Sequence, residues 1–212
     1  MTEGDATQSP SAPTRDALIQ AARLLFGQRG FDGTSVRAIT SAADANLGAV
    51  TYHFGSKRGL YAAVLESGLR PLSGRVHQAA RGPGSARDRM LAVVEAYFDH
   101  LKTHPDLPHL LLQEVAAGKE PPDVVLEIVR GVKTTIAGLH IEGVEEGSVR
   151  PGHPVLTALS VIAQPIYLTL VSPILARMGG IDLTQPEHRD MALEHILAFV
   201  NAGLEPAAEV SS

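Results

Sequence analysis

The apolar residues in the first third of the chain recur at helical intervals and predict four helices. The first begins near Thr14 and ends at Gly30, and its apolar stripe consists of Leu18, Ala21, Ala22 and Leu25. The next two helices are short, and a fourth continues to about residue 73. Residues 1–13, rich in Ser, Thr, Pro and Gly, lack this periodicity and are expected to form a flexible leader.

Cap and turn residues define the two short helices. Thr34 or Ser35 is suited to cap the second helix, and Asn46 is suited to cap the third. The three residues from Asp44 to Asn46 interrupt the apolar pattern between them. Two short helices joined by such a turn are typical of a helix-turn-helix, which we predict within a domain spanning residues 14–61.

The remaining chain, residues 74–205, predicts longer helices and a second domain. Two of these helices, at 154–178 and 186–203, are apolar over more than one face. Pro165 and Pro173 lie inside the first of them, so we expect it to be kinked or broken. No segment alternates between apolar and polar residues as a strand would, and the chain is therefore predicted to be all-α.

The composition is that of a folded domain without thiol chemistry. Hydrophobic residues make up 44% of the 212 residues and charged residues 19%, and the mean hydropathy is +0.07, which excludes a wholly disordered chain. The absence of cysteine excludes a disulfide scaffold, a thiolate zinc site and a cysteine nucleophile. Because the sequence has neither a signal peptide nor an uninterrupted apolar run of about 18 residues, we expect a cytoplasmic protein without a membrane partner.

The net charge of −5 conceals an uneven distribution of charge along the chain. Residues 14–70 contain seven Lys and Arg against four Asp and Glu, whereas residues 71–212 contain eleven against seventeen. The first segment is basic and the second is acidic. A polyanion such as nucleic acid is therefore expected to contact the first segment alone.

Four motifs occur together between residues 34 and 61, and they are Thr34-Ser35, Ile39 to Ala43, Tyr52-His53-Phe54 and Ser56-Lys57. As a set they resemble the DNA-binding head of the TetR/AcrR transcriptional regulators, and the resemblance covers residues 14–61. The sequence departs from the family pattern at Asp44, where Gly is usual, and at Asn46, where Ser or Thr is usual. The resemblance implies a helix-turn-helix whose third helix reads DNA.

The beginning of the third helix is suited to enter a major groove. Gly48 and Ala49, which follow Leu47, keep its first turn slim. Thr51 lies one turn beyond Gly48 and is placed to meet a thymine methyl group or a base edge. Leu47 fits two roles equally well, which are an apolar contact with DNA and apolar packing within the DNA-binding domain.

Residues on either side of this turn are suited to contact the DNA backbone. Tyr52 and His53 combine apolar bodies with polar tips, and Lys57 in the first turn of helix four offers a cation to a phosphate. The resemblance implies that Arg37 reaches a base or phosphate and that Thr34 reaches a phosphate, although Thr34 serves primarily as a cap.

The resemblance also implies an inducer pocket in the C-terminal helices and a dimer interface formed by the last two. Helices 154–178 and 186–203 carry more apolar surface than a monomer of this size buries, so we expect a homodimer through them. The alternative is that both helices lie in the core of a monomer.

Pocket candidates are polar or aromatic residues on otherwise apolar helix faces, with apolar residues as walls. The candidates are Tyr97, His100, Leu101, His104, Leu111, Glu114, Gln164, Tyr167 and Leu168, and Phe98 is a further wall residue. This composition favours an apolar or aromatic inducer. His100 and His104 have the spacing of zinc ligands, but no metal or other cofactor is predicted, because a zinc site without cysteine needs four well-placed partners.

These observations predict a DNA-binding transcriptional regulator. We expect a dimeric repressor that leaves a palindromic operator when a small-molecule inducer binds its second domain. No motif of an enzyme occurs, such as a phosphate-binding loop with its lysine or a G-x-S-x-G sequence, and no enzymatic activity is expected. The alternative is a helical module that binds small molecules or proteins and whose helix-turn-helix no longer binds DNA.

Overall fold

A computed structural model describes residues 12–206 of the chain, with side chains described from Arg15 onward. The described residues form only helices and turns, as predicted for an all-α fold. The helices within residues 12–206 are α1 (Ala12–Arg29), α2 (Val36–Ala42), α3 (Ala49–Phe54), α4 (Lys57–Ala80), α5 (Ala86–Thr103), α6 (Leu107–Ala116), α7 (Asp123–Glu145), α8 (Pro154–Arg177) and α9 (Pro186–Leu204). Residues 1–11 of the predicted leader lie outside the described range, and residues 12 and 13 already belong to α1, which begins before the predicted Thr14.

The predicted helix-turn-helix consists of α2, α3 and the turn between them. Ser35 caps α2, because its Oγ accepts a hydrogen bond from the Ala38 N–H over 3.1 Å. The prediction that Asn46 caps α3 is wrong. The backbone carbonyl of Asn46 accepts from the Ala49 N–H at 3.1 Å and closes a turn, so that Gly48 occupies the cap position and no side chain caps α3.

The turn between α2 and α3 requires a backbone conformation that few residues adopt. Asp44 has a φ of +50°, and among the described residues it is the only one besides glycines with a positive φ. Aspartate tolerates this left-handed conformation because its short polar side chain can form hydrogen bonds locally. The glycine that is usual at this position in the resembled family meets the same requirement without a Cβ.

α4 is longer than predicted and belongs to both halves of the molecule. The predicted end near residue 73 is wrong, because the helix continues to Ala80. The buried side chains of Val76 and Ala80 extend its apolar stripe beyond that point. α4 packs against α1 and α3 at one end of the molecule and against α5 and α7 in the second domain, so the two predicted domains share one helix.

α8 is a single helix of 24 residues that runs through both internal prolines, so the predicted break is absent. Pro165 is buried, and the carbonyl at this position accepts a hydrogen bond from the Thr169 hydroxyl at 2.8 Å. Each proline removes one backbone hydrogen bond, whereas the packing of α8 against α5 and α7 supports the rest of the helix.

Ion pairs join α1 and α4 to α6 and to the residue that precedes it. Both Arg23 nitrogens that face Asp106 donate to its carboxylate, at 2.7 and 2.5 Å. Arg58 in α4 lies 3.2 Å from the carboxylate of Glu114, which is only 4% exposed. α6 therefore contacts α1 and α4, which support the helix-turn-helix, and connects them to α8 of the second domain.

Candidate nucleic-acid interface and ligand cavity

α3 turns one face towards the core and leaves another open. Ala49 is 1% exposed and anchors the start of the helix. By contrast, Leu47 is 62% exposed, Tyr52 is 69% exposed, and Thr51 is also exposed. Large, partly apolar side chains left open on a short helix indicate a contact surface.

Arg37 adds a cation to the exposed residues of the helix-turn-helix. Its side chain is exposed, and it takes part in none of the salt bridges found between described residues. Its guanidinium is therefore free to form a bidentate contact with a phosphate or with a guanine edge. Five of the nine predicted DNA contacts are exposed, namely Arg37, Leu47, Gly48, Thr51 and Tyr52.

Two of the predicted DNA contacts point into the protein. Thr34 is 1% exposed, and its hydroxyl lies 2.8 Å from the carbonyl of Gly30 and 3.1 Å from that of Leu25. The methyl group of Ala49 is buried in the same way. The side chains of Thr34 and Ala49 are thus not available to DNA, and they hold α2 and α3 in place instead.

Lys57 and His53 have intermediate positions. The Nζ of Lys57 donates to the Thr34 carbonyl at 2.7 Å and lies 4.3 Å from the centre of the Phe31 ring. This leaves part of the ammonium group for a phosphate, because a lysine has three donors. His53 is half-buried, and its ring packs edge-on against that of Tyr52 at 5.0 Å.

The nine predicted ligand-binding residues do not line one cavity. Tyr97 is buried in the core, Glu114 is paired with Arg58, and Tyr167 is 67% exposed. Leu101 lines a cavity, which is described below. The side chains that are neither fully buried nor fully exposed are His104, Leu111, Gln164 and Leu168.

His100 and His104 form a stacked pair, with 4.3 Å between ring centres. His100 is 1% exposed, and its Nε2 donates to the Gly68 carbonyl at 2.9 Å. Burial and the nearby His104 lower the pKa of His100 to about 4. The described residues contain no cluster of three or more His, Asp or Glu side chains that would hold a metal.

Leu101 lines a cavity of about 390 Å³ between the end of α5, the second half of α8 and the segment before α9. Its apolar wall includes Phe98, Leu101, Pro173 and Leu183, and its polar lining includes Lys102, Asp182, Thr184 and Arg189. Phe98 and Leu101 were predicted from the sequence as wall residues. Lys102, Asp182 and Arg189 were not, because no pattern links charged residues so far apart along the chain.

Both parts of the chain match models of known protein families. Residues 18–64 match the model for bacterial regulatory proteins of the tetR family. Residues 87–200 match the model for the tetracyclin repressor-like C-terminal domain. The first match includes α2 and α3, and the second includes every residue that lines the cavity between α5 and α8.

Two bacterial regulators show sequence similarity to the chain. The HTH-type transcriptional repressor KstR2 of Mycolicibacterium smegmatis is 30% identical over 68% of this chain and 72% of its own length. The probable HTH-type transcriptional regulator YttP of Bacillus subtilis is 32% identical over 48% of this chain. The chain spans about half the length of the B. subtilis protein, 50%.

Solved structures share the fold along most of the chain. A regulatory protein of the tetR family from Rhodococcus RHA1 has a TM-score of 0.76 and 19% identity, and the match covers 93% of this chain and all of that one. FadR of Bacillus subtilis, solved in complex with stearoyl-CoA, has a TM-score of 0.70 and 14% identity, with coverage of 90% and 99%. With both family models matched, this chain belongs to the TetR family of bacterial regulatory proteins.

Proposed function

We propose that this DNA-binding regulator acts as a homodimeric repressor on a palindromic operator and leaves it when a small molecule binds. The observation that carries the proposal is the exposed set Arg37, Leu47, Thr51 and Tyr52 around a well-anchored α3. These residues supply one cation, two hydroxyl groups and two large side chains to a groove and its phosphates.

The apolar faces of α8 and α9 support a dimer. α8 has no charged residue before Arg177. By length and composition it is apolar enough to cross a membrane. An 18-residue stretch of the helix has a mean hydropathy of 1.7, and only 17% of that stretch is buried. The exposed large apolar side chains on the two helices are Leu156, Leu159, Tyr167, Ile174, Met191 and Phe199. A second copy of the chain is the occupant that we propose for this surface, and we place the protein in the cytoplasm.

The cavity between α5 and α8 is our proposed inducer site. Its apolar wall around Phe98 and Leu101 suits an apolar body. Its lining has two cations, Lys102 and Arg189, against the single carboxylate of Asp182, and although Lys102 also pairs with Asp99, this balance favours an anionic group on the ligand. The stearoyl-CoA bound by FadR has this chemistry, which supports the proposal. Dodecanoate, an apolar chain with one carboxylate, is small enough for this cavity and serves as the probe. Leu183→Trp is expected to fill the cavity and abolish operator release by dodecanoate, whereas Leu126→Trp on α7 leaves release unchanged.

Release requires that the inducer bind the DNA-free state more tightly. A loss of DNA affinity of about 100-fold needs about 2.7 kcal/mol of coupling, and DNA weakens inducer binding by the same factor. α4 is the lever in this proposal, because it packs against both the helix-turn-helix and the helices of the second domain. No catalytic role is part of the proposal.

DNA selection from a random pool, followed by fluorescence anisotropy on the selected site, tests the DNA-binding role. We expect Arg37→Ala with Tyr52→Ala to weaken binding at least 100-fold, with unchanged helix content and oligomeric state. Arg130→Ala on the exposed face of α7 is the matched control and leaves affinity unchanged. A wild-type protein that selects no sequence would favour the alternative of a helical module without DNA binding.

A further inference from the structure

A second cavity, of about 420 Å³, lies where α7, the segment before α8, the start of α8 and the end of α9 meet. It shares no lining residue with the proposed inducer cavity. Its lining contains Arg150, His140 and His153 and no aspartate or glutamate. The electrostatic character of this cavity is therefore cationic, although the domain around it is acidic.

His140 supplies a buried polar group without a complete set of partners. The residue is 2% exposed, and its Nδ1 makes no hydrogen bond of good geometry among the described residues, although the Arg150 backbone lies close enough to the ring to counteract part of the lowering of its pKa. A buried polar atom without a partner is rare in folded proteins and requires an explanation. Burial lowers the pKa of His140, so its ring is neutral near pH 7 and offers one donor and one acceptor.

The backbone leaves open space beside this ring. A Cβ added at Gly152 would lie 3.4 Å from His140 Nε2 and 3.6 Å from Thr157 Oγ1, so the missing side chain exposes both groups to the cavity. His140, Gly152 and Thr157 all line it. A ligand atom in this space would meet an imidazole nitrogen and a hydroxyl together.

Two further features favour a negative charge on the ligand. Arg150 is exposed at the cavity and takes part in none of the salt bridges between described residues. The start of α8 also faces the cavity, and the positive end of a helix dipole attracts anions. The opposite wall is apolar and includes Leu156, Val161 and Phe199.

We infer that this cavity is a second ligand site, which binds a small organic carboxylate with an apolar or aromatic body. Arg150 holds the carboxylate, the polar groups of His140 and Thr157 lie beside it, and Phe199 packs against the body. A volume of about 420 Å³ is at the small end of the range for ligand pockets and suits a molecule of one or two rings.

The position of the cavity also ties it to the dimer, and this step rests on the proposed function. Leu156 and Phe199 are 60% exposed each and belong to the surface that we assign to a second copy. A ligand that packs on them would be covered by the partner protomer and would strengthen dimerisation. If the protein is a monomer, the site still binds its ligand but without this effect, so the two proposals fail separately.

Titration calorimetry with 2-naphthoate as the probe tests the site. We expect one probe per protomer, and at least ten-fold weaker binding for the neutral analogue 2-naphthalenemethanol. Arg150→Gln removes the charge from an exposed position, and Gly152→Val fills the space beside His140. Each is expected to raise the dissociation constant for 2-naphthoate at least ten-fold, whereas Arg130→Gln on α7 leaves it unchanged.

The same measurement on Arg189→Gln separates this site from the first cavity. Unchanged binding by Arg189→Gln, together with weakened binding by Arg150→Gln, supports the second site. The inference is overturned if Arg150→Gln and Gly152→Val bind like the wild type, if only Arg189→Gln loses affinity, or if the neutral analogue binds equally well.

Discussion

Three histidines in the second domain have pKa values below the ordinary value of a histidine. They are His100, His104 and His140, and in each case burial is the largest cause. A depressed pKa means that the folded protein resists protonation more than the unfolded chain does. The contribution of these neutral histidines to the unfolding free energy is fully present above the unfolded pKa of about 6.5. It is lost as the pH falls from there towards the folded pKa.

We therefore expect the unfolding free energy to fall between pH 7 and pH 5. For His100, with a folded pKa of about 4, the loss at pH 5 is on the order of 2 kcal/mol. His100→Gln keeps an N–H donor for the Gly68 carbonyl but does not titrate. Urea unfolding of this variant at both pH values is expected to show a smaller loss than the wild type.

The exposed His109→Gln is the control for this experiment and is expected to keep the wild-type pH dependence. Carboxylates contribute little in this window, because the unfolded pKa of Asp106 and similar groups lies near 3.8. An equally steep loss of stability in His100→Gln would contradict the assignment to His100.

At the scale of single residues, the sequence predicted side-chain chemistry better than side-chain direction. Tyr52 and Arg37 are exposed as a contact role requires. Thr34 and Lys57 have the right donors, but the Gly30 carbonyl uses the Thr34 hydroxyl and the Thr34 carbonyl uses one of the three donors of Lys57. Those carbonyls are brought into reach by the packing of α1, α2 and α4, which no local pattern encodes.

At the scale of helices, the prolines of α8 offer a matched pair. Pro154 is at the start of the helix, where the missing N–H has no partner to lose, whereas Pro173 is inside it. We expect Pro173→Ala to raise the unfolding free energy by about 1–3 kcal/mol. Pro154→Ala is expected to change it by less than about 0.5 kcal/mol in the same urea titrations. A gain of stability in Pro154→Ala alone would contradict this account.

The contact of α4 with α6 depends on a buried carboxylate. Arg58→Gln leaves Glu114 without its nearest cation, with Lys119 at 3.9 Å as the remaining one. Because Arg58 is about half exposed, we expect a loss of about 1–2 kcal/mol, below that for a fully buried pair. Urea unfolding measures this loss.

Arg70→Gln breaks the exposed pair with Glu66 within α4 and is expected to cost about 0.5 kcal/mol. It removes the same charge from the same helix and so serves as the control. Equal effects of Arg58→Gln and Arg70→Gln would mean that the burial of Glu114 contributes nothing to the contact.

The extent of several helices was beyond the reach of the sequence patterns. The end of α4 and the continuity of α8 are both set by partners in other helices, which support residues that local rules would place in a turn or a break. The cap of α3 is a similar case, because the turn closed by Asn46 displaces the helix start to Ala49. Helix type and order depend on local periodicity, and these were predicted.

At the scale of the whole molecule, the proposed dimer makes a direct prediction. Leu159→Glu with Ile174→Glu places two charges on the exposed faces of α8, which are 50% and 60% exposed at these positions. We expect the mass measured by light scattering to fall to the 22.4 kDa of one chain, and operator affinity to fall about 100-fold because only one half-site is held.

Leu126→Glu introduces a charge at an exposed apolar position of α7 and is expected to leave both properties unchanged. A wild-type mass of one chain at micromolar concentration would contradict the dimer. Of the first cavity only the wall residues Phe98 and Leu101 were predicted, and of the second none, because each cavity is lined by residues from three or more separate segments.

The length of α4 has a consequence for exchanging DNA specificity between relatives. Because no loop separates the helix-turn-helix from the second domain, a chimeric regulator has to be joined inside α4, between Lys57 and Ala80. An α-helix turns by about 100° per residue. One extra residue at the joint therefore rotates α3 around the α4 axis by the same angle. Transplanted heads are therefore expected to work only when the helical phase of α4 is conserved across the joint.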